Sequence, residues 1–156
     1  MKRILPYTKK EWTDSINEFL KTYDFWNVPI MGELEKKVCD FVGKKYGVAV
    51  TSGTVAILLS LNSIKKENGE VILPNFGYPS VYNACKFLGL KPVPVEIKKS
   101  TLSINPSLIE EKITENTIAI VNIENNAIIG SDILEIKRIC NEHNIVFLED
   151  SAPSIL

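Results

Sequence analysis

A group of small polar residues follows an apolar run and could bind an anion. Residues 51 to 54 read "TSGT" and lie between the run "GVAV" and an apolar helical pattern. Gly53 would let a ligand approach the backbone closely, and the hydroxyls of Ser52 and Thr54 can donate hydrogen bonds. A helix beginning here would direct unpaired N–H groups and its positive dipole end at the same point, which favours a phosphate. Simple helix capping also accounts for these residue types.

Two other loops carry side chains that could take part in a binding or catalytic site. The first is "PNFGYPS", residues 74 to 80, in which Phe76 and Tyr78 lie on either side of a glycine. The two aromatic rings could form a platform for a flat ligand ring, or they could simply pack within the loop. Asp150 closes the apolar run "IVFLED", where a partly shielded carboxylate would favour a cation such as a protonated ring nitrogen, or would cap a following helix. Glu149 is predicted to face the other way along the strand, with no assigned role.

Alternating helical and strand patterns must position these loops. Apolar spacing predicts amphipathic helices over residues 9 to 23 and 33 to 47. Five short apolar runs predict strands, at residues 47–51, 70–74, 92–97, 118–123 and 145–150. Further helices are predicted at residues 54–65, 79–88, 106–113 and 131–143, the last with Ser131 as its N-cap.

This order of elements predicts the α/β class. Near-continuous Val and Ile runs separated by amphipathic helices are typical of a mostly parallel sheet flanked by helices on both faces. Sites in such sheets collect at the carboxyl ends of the strands. The loops at residues 51–54 and 74–80 and at Asp150 are therefore expected at one edge of the sheet.

Composition excludes several classes of partner. The 156 residues carry a net charge of -1, which gives no field to attract nucleic acid. No apolar stretch approaches the roughly 20 residues that span a bilayer, and the start lacks a signal-peptide core, so a cytoplasmic location is expected. Cys39, Cys85 and Cys140 are odd in number without a CxxC pair, which predicts buried free thiols rather than a disulfide framework or metal site.

Four blocks in order resemble the DegT/DnrJ/EryC1/StrS family: "GKKYGVAVTSGTVAILLSL", "GEVILPNFGYPSVYNACKFLGLKPVPVEI", "STLSINPSLIEEKITENTIAIV" and "DILEIKRICNEHNIVFLEDSA". This is a group of pyridoxal-phosphate (PLP) aminotransferases, with some dehydratases, that act on nucleotide-linked sugars. The resemblance begins near Val28 and implies the first half of the large domain of PLP fold type I, the aspartate aminotransferase architecture. It divides the chain into an N-terminal helical segment, residues 1–27, and a family-matching α/β region, residues 28–156.

The resemblance also implies roles for individual residues. Gly53 and Thr54, with Ser52 beside them, match positions that bind the cofactor phosphate. Tyr78 matches the aromatic ring that stacks on the pyridine. Asp150 matches the aspartate paired with the pyridine nitrogen, within an Asp-x-Ala motif that ends at Ala152. The implied partners are a nucleotide-linked keto sugar, an amino-group donor such as glutamate, and a second subunit in a homodimer.

Some positions depart from the family pattern. Pro153 stands where the family usually has Gln or His, and residues 124 to 129 do not align. The Schiff-base lysine is expected downstream of Leu156, so the 156-residue chain alone is expected to be inactive. The alternatives are a sugar dehydratase of the same family and a shortened, non-catalytic relative that serves as a binding or assembly module.

Overall fold

The computed structural model describes residues 10–22, 29–125 and 132–152. The chain divides into two compact units, residues 1–49 and 50–156. The boundary between these two units follows Ala49. The division after residue 27, which the family resemblance implied, stays a prediction.

The first unit contains two α-helices, α1 (Lys10–Thr22) and α2 (Pro29–Val42). Both helices were predicted from apolar spacing. Helix α2 ends at Val42 and is followed by Gly43, whose φ of +66° is left-handed. The Lys44 N–H then donates to the carbonyl of Cys39 at 2.9 Å. Both helices leave large apolar side chains exposed: Trp12, Ile16, Leu20, Leu34 and Phe41.

The second unit is an α/β sandwich. In chain order its elements are α3 (Gly53–Ser63), β1 (Glu70–Pro74), α4 (Ser80–Leu88), β2 (Lys91–Val95), β3 (Thr117–Ile123), α5 (Ile133–Glu142) and β4 (Val146–Asp150). The four strands form one sheet in the order β2-β1-β3-β4, and every neighbouring pair is parallel. The predicted α/β class with a parallel sheet is therefore confirmed.

Two apolar cores cover the two faces of the sheet. Successive residues of β1 enter opposite cores. Val71 and Leu73 pack with α3 and α4, whereas Ile72 packs with α5. Strand β3 divides in the same way, with Val121 in the first core and Ile120 in the second. Because both faces are covered, the central strands consist almost entirely of buried residues.

The strand predicted at residues 47–51 is wrong. These residues form no strand, and the side chain of Val48 is 79% exposed. An apolar run becomes a strand only when a neighbour satisfies its backbone groups, and no strand among the described residues pairs with this one. The run ends where α3 begins, at Gly53.

The helix predicted at residues 106–113 is also wrong. The structure has two 3₁₀ turns there, Pro106–Leu108 and Glu110–Lys112. The Asn105 side chain caps the first of these turns by accepting a hydrogen bond from the Ser107 N–H at 3.3 Å. A segment this short has little helical stability of its own, and it divides into two single turns in place of one α-helix.

Three strands follow a residue with left-handed backbone, with one residue in between. Asn68 (φ 56°), Gly89 (φ 70°) and Asn144 (φ 54°) each lie two residues before a strand, namely β1, β2 and β4. Beyond Gly89 the Leu90 N–H returns to the carbonyl of Cys85 at 2.9 Å. These compact turns reverse the chain at the amino end of the sheet.

Candidate functional site

Helix α3 begins at the "TSGT" segment, as the sequence predicted. The Ser52 Oγ accepts a hydrogen bond from the Val55 N–H at 3.3 Å, and the Ser52 carbonyl accepts one from the Ala56 N–H at 3.0 Å. The N–H groups of Gly53 and Thr54 have no acceptor within the described part of the chain. Two backbone donors at the positive end of the helix are therefore available to an anion.

Gly53 is not required by packing inside the protein. A β-carbon at this position would have no heavy atom within 4 Å, and its φ is not left-handed. By contrast, a β-carbon at Gly77 would lie 3.1 Å from the Ile123 Cδ1 atom. The open space beside Gly53 is therefore available for the close approach of a ligand.

A cleft of about 240 Å³ joins the start of α3 to the end of β4. Its walls are Gly53, Ala56, Ile57, Ser60, Val121, Leu148, Glu149, Asp150, Ser151 and Ala152. Three of the residues selected from the sequence, Gly53, Asp150 and Ala152, thus line one cleft. Ser52 and Thr54 flank Gly53 in the chain.

Asp150 is the last residue of β4. Its carbonyl accepts a hydrogen bond from the Glu124 N–H at 3.0 Å, which fixes the backbone against the end of β3. Its Oδ1 atom accepts a weaker bond from the Ala152 N–H at 3.4 Å. The half-buried carboxylate is therefore held at the carboxyl edge, where it can pair with a cation in the cleft.

Tyr78 lies in a different cleft. This second cleft, of about 440 Å³, is lined by Tyr78, Tyr82, Pro94 and Ile123 among others, and the Tyr78 side chain is 70% exposed. Val121 and Ile123 line one cleft each and are two residues apart on β3, so both clefts open on the same face of the sheet. The structure brings Tyr78 to the correct face but not into the cleft of Gly53.

Glu124 is a site residue to which the sequence gave no role. It follows β3 directly and is only 5% exposed, and its Oε2 atom has no hydrogen-bond partner. Burial, followed by the nearby carboxylates of Glu149 and Asp150, raises the pKa of Glu124. Asn122, in register with Glu149, is fully buried with neither amide atom paired. Two polar residues at alternate positions after an apolar run were the available signal.

Other predictions lie away from the clefts. Cys39, Cys85 and Cys140 are buried free thiols, as expected, and burial raises the pKa of Cys85 and Cys140 to about 11. Ser131, Pro153 and residues 126–129 lie outside the described residues. No helix in the described ranges is long and apolar enough to cross a membrane. Those ranges contain no cluster of three potential metal ligands.

The family model described as the DegT/DnrJ/EryC1/StrS aminotransferase family matches residues 6–155. The chain belongs to this family. The predicted resemblance is confirmed, and the match begins at residue 6, well before Val28. It runs through both compact units.

Solved structures of the DegT/DnrJ/EryC1/StrS type have the same fold. Bacillus subtilis NtdA with bound cofactor PMP is 29% identical with a TM-score of 0.86, over 95% of this chain and 35% of that chain. S. venezuelae DesV in complex with a ketimine intermediate is 25% identical with a TM-score of 0.84, over 92% of this chain and 39% of that one. A GDP-4-keto-6-deoxymannose-3-dehydratase with a trapped PLP-glutamate geminal diamine is 26% identical with a TM-score of 0.84. The match covers 96% of this chain and 40% of that chain.

These similarities confirm the PLP fold type I architecture and identify PLP as the cofactor of the family. The chain spans about two fifths of the length of these relatives. The residues of the first cleft fit the cofactor, since unpaired N–H donors suit its phosphate and a carboxylate suits its ring nitrogen.

Proposed function

We propose that this chain supplies the phosphate-binding and ring-nitrogen-binding part of a PLP site in an aminotransferase. The enzyme transfers an amino group from an amino acid, such as glutamate, to a keto sugar carried on a nucleotide. The supporting observation is the cleft that Gly53 shares with Asp150. The start of α3, with its unpaired N–H donors, and the Asp150 residue line this cleft together, which supports the two roles that the family resemblance implies.

The phosphate-binding role belongs to the first turn of α3. The N–H groups of Gly53 and Thr54 have no protein acceptor in the described chain and would donate to phosphate oxygens. The Ser52 Oγ already accepts a bond from the Val55 N–H, which leaves its own O–H free to donate. The Thr54 hydroxyl provides another donor, and the helix dipole adds a favourable field.

Asp150 has the role of holding a proton on the ring nitrogen of the cofactor. A carboxylate beside a pyridinium raises the pKa of that nitrogen and keeps it charged. PLP, when bound, supplies an electron sink for the carbanion formed at the amino-donor carbon. The Ala152 N–H orients the Asp150 carboxylate through the 3.4 Å bond. Stacking by Tyr78 on the ring stays a prediction, because its cleft is separate.

The remaining parts of the active site belong to the proposal as well. None of the ten residues lining the first cleft is a lysine, so the catalytic amine must come from elsewhere in the active enzyme. The 156-residue chain by itself is accordingly proposed to bind the cofactor without catalysing transfer. A cytoplasmic homodimer completes the proposal.

Equilibrium dialysis against PLP would test the phosphate-binding role. The change Gly53→Ala places a methyl group in open space, so folding should be retained while PLP affinity falls about tenfold or more, because the methyl occupies the phosphate approach. Gly32→Ala is the matched control, since a β-carbon at Gly32 in α2 also has no heavy atom within 4 Å. Asp150→Asn should weaken binding of PLP more than binding of inorganic phosphate.

Two results would contradict the assignment. One is equal PLP affinity in Gly53→Ala and wild type, and the other is no measurable binding by the wild-type chain. Borohydride treatment of the wild-type complex gives a further readout. Borohydride would fix any bond between the cofactor and a lysine, and no one lysine should become labelled, because no lysine lines the cleft.

A sugar dehydratase is the second candidate, favoured by the 26% identity to GDP-4-keto-6-deoxymannose-3-dehydratase. The two reactions differ in the fate of the amino group. Incubation of the active enzyme with ¹⁵N-labelled glutamate and a nucleotide-linked keto sugar would separate them. An aminotransferase retains the label in the sugar product, whereas a dehydratase releases it as ammonia.

A further inference from the structure

Two carboxyl groups meet where β3 and β4 end. Ile123 belongs to the core shared with α3 and α4, so its neighbours Asn122 and Glu124 face the α5 side of the sheet. Glu149 of β4 is in register with Asn122, and its side chain also faces α5, since one of its oxygens lies 3.9 Å from the Lys137 Nζ atom. The carboxyl groups of Glu124 and Glu149 are within hydrogen-bonding distance of each other.

The surroundings of Glu124 do not stabilise a negative charge. Its side chain is 5% exposed, and its Oε2 atom has no hydrogen-bond donor among the described residues. Asn122, on the same face of β3, is fully buried with neither amide atom paired. A carboxylate without water, a cation or a donor is costly in such a place. A neutral carboxylic acid avoids this cost, and its O–H can donate to the Glu149 carboxylate.

The charges around this pair of glutamates leave one carboxylate unbalanced. Lys137 pairs with Glu149, and Asp150 forms no ion pair within the described ranges. With a proton on Glu124, a single uncompensated negative charge therefore remains, on Asp150. The other charged groups on α5 and just before it form their own ion pairs, in which Lys98 binds Asp132 and Arg138 binds Glu110, Glu135 and Glu142.

We propose that Glu124 is a positioning residue that holds a proton shared with Glu149, so that Asp150 presents the one uncompensated negative charge to the ring nitrogen of the cofactor. This role rests on the proposed function of Asp150. The Glu124 N–H donates to the Asp150 carbonyl at 3.0 Å, so the two residues are also joined through the backbone. Burial raises the pKa of Glu124 most, followed by the hydrogen bond to Glu149 and the charges of Glu149 and Asp150.

The proton on Glu124 and the proton on the ring nitrogen should affect each other. Ionisation of Glu124 places a second negative charge behind Asp150, which should raise the proton affinity of the bound ring nitrogen about threefold. Glutamine at position 124 keeps the backbone N–H and a similar shape but cannot ionise. Glu124→Gln therefore separates an electrostatic role from a structural one.

NMR of the side-chain carboxyl carbons tests the shared proton without the cofactor. In the chain labelled with ¹³C-glutamate, the signal that disappears in Glu124→Gln belongs to Glu124, and it should titrate with a midpoint above 4.5. Glu149→Gln should lower this midpoint, and Asp150→Asn should lower it by less, since each removes a like charge. Glu115→Gln, at an exposed position, is the control and should leave it unchanged. A midpoint at or below 4.5 in wild type would overturn the proposal.

PLP labelled with ¹⁵N in its ring tests the effect on the cofactor, because the chemical shift of that nitrogen reports its protonation. The titration curves of wild type and Glu124→Gln should coincide while Glu124 is protonated. At higher pH they should separate, with the ring nitrogen in wild type keeping its proton to a higher pH, by about threefold in proton affinity. A purely structural role of Glu124 predicts identical curves, so that result would overturn the proposal.

The outcomes distinguish this proposal from the proposed function. Absence of PLP binding by the wild-type chain would overturn the proposed function, and with it the role of Glu124 toward the cofactor. PLP binding together with an unchanged Glu124 midpoint in Asp150→Asn would overturn the present proposal alone. Circular dichroism on each variant shows whether the fold is retained.

Discussion

Two glutamates at opposite ends of the sheet are buried to the same degree but have different surroundings. Glu70 is the first residue of β1 and is 6% exposed, and Glu124 directly follows β3 and is 5% exposed. Both belong to the inner part of the sheet, where a carboxylate is costly unless it is paired. The difference lies in which of them the chain itself satisfies.

Glu70 has all the partners that a buried carboxylate needs. Its Oε1 atom accepts from the Lys91 Nζ at 2.6 Å, and its Oε2 atom accepts from the Thr114 hydroxyl at 2.6 Å. These hydrogen bonds, led by that from Lys91, lower the pKa of Glu70. The amino end of the sheet is therefore complete without any other molecule.

The carboxyl end is not satisfied in this way. The described residues with unpaired buried side-chain atoms are Ser80, Asn122, Glu124 and Asp132. All lie near the end of β3 or in the segments that follow β1 and β3. Buried polar atoms without partners inside the protein are expected where a ligand or further residues provide the missing hydrogen bonds. One end of the sheet thus provides stability, and the other provides binding capacity.

The largest effect is expected from Glu70→Ala. It leaves the Thr114 hydroxyl and the Lys91 ammonium without their acceptor, so the free energy of unfolding should fall by about 2 to 3 kcal/mol. Glu67→Ala, at an exposed acidic residue nearby, is the control and should change it by less than about 0.5 kcal/mol. Urea unfolding measures both. Equal effects would remove the distinction between the two ends.

Glu124→Gln should have an intermediate effect of opposite sign. The pKa of Glu124 is raised above its ordinary value of 4.5, so the folded protein binds this proton more tightly than the unfolded chain. The folded wild type therefore has its full stability relative to the unfolded chain at pH values below the ordinary pKa, and it loses stability as pH rises through the raised pKa of Glu124. The glutamine variant avoids this loss and should gain about 1 kcal/mol at pH 8.

The comparison that checks it is urea unfolding at acidic and at mildly alkaline pH. The gain should be present only at the higher pH. Glu115→Gln, at an exposed position, should behave as wild type at both. A gain of equal size at both pH values would mean that ionisation of Glu124 is not its cause.

The smallest effect is expected from Glu70→Gln, in the way that stability depends on pH in the acid range. The pKa of Glu70 is lowered below 4.5, so its contribution is complete above that value and is lost as pH falls through the lowered pKa. Glu70→Gln can keep the bond from Thr114 but cannot titrate. Its unfolding midpoint should therefore vary less with pH in the acid range than that of wild type, and a steeper acid dependence would contradict this account.

The sequence predicted most of the fold because its signals are local. The runs that became β1, β2, β3 and β4 carry their own apolar pattern and turn residues. The run at residues 47–51 carries the same pattern but forms no strand, since strand formation depends on a neighbour and not on the run alone. The segment at residues 106–113 likewise has the pattern and the N-cap of a helix, yet it forms two separate 3₁₀ turns.

The candidate site, like the fold, was predictable only where its signals are local. Gly53 and Asp150 were both selected from their positions after apolar runs, and both line the first cleft. The rule that sites collect at the carboxyl ends of parallel strands holds for Asp150, which ends β4, whereas Gly53 is positioned by the start of α3 because the run before it forms no strand. Tyr78 could be assigned to the edge but not to a cleft, because its side-chain position depends on how the loop packs against Ile123. The burial of Glu124 depends on the pairing of β3 with β4, which no local pattern specifies.

The left-handed turns at Asn68, Gly89 and Asn144 have a consequence for how relatives of this protein can diverge. Each of these turns leaves one residue between itself and the strand that follows. An insertion there that shifted the strand by one residue would exchange the side chains that enter each core. Loops at the other edge can change in length or composition while every strand keeps its register. New binding specificities can therefore arise at that edge while the sheet and its two cores stay unchanged.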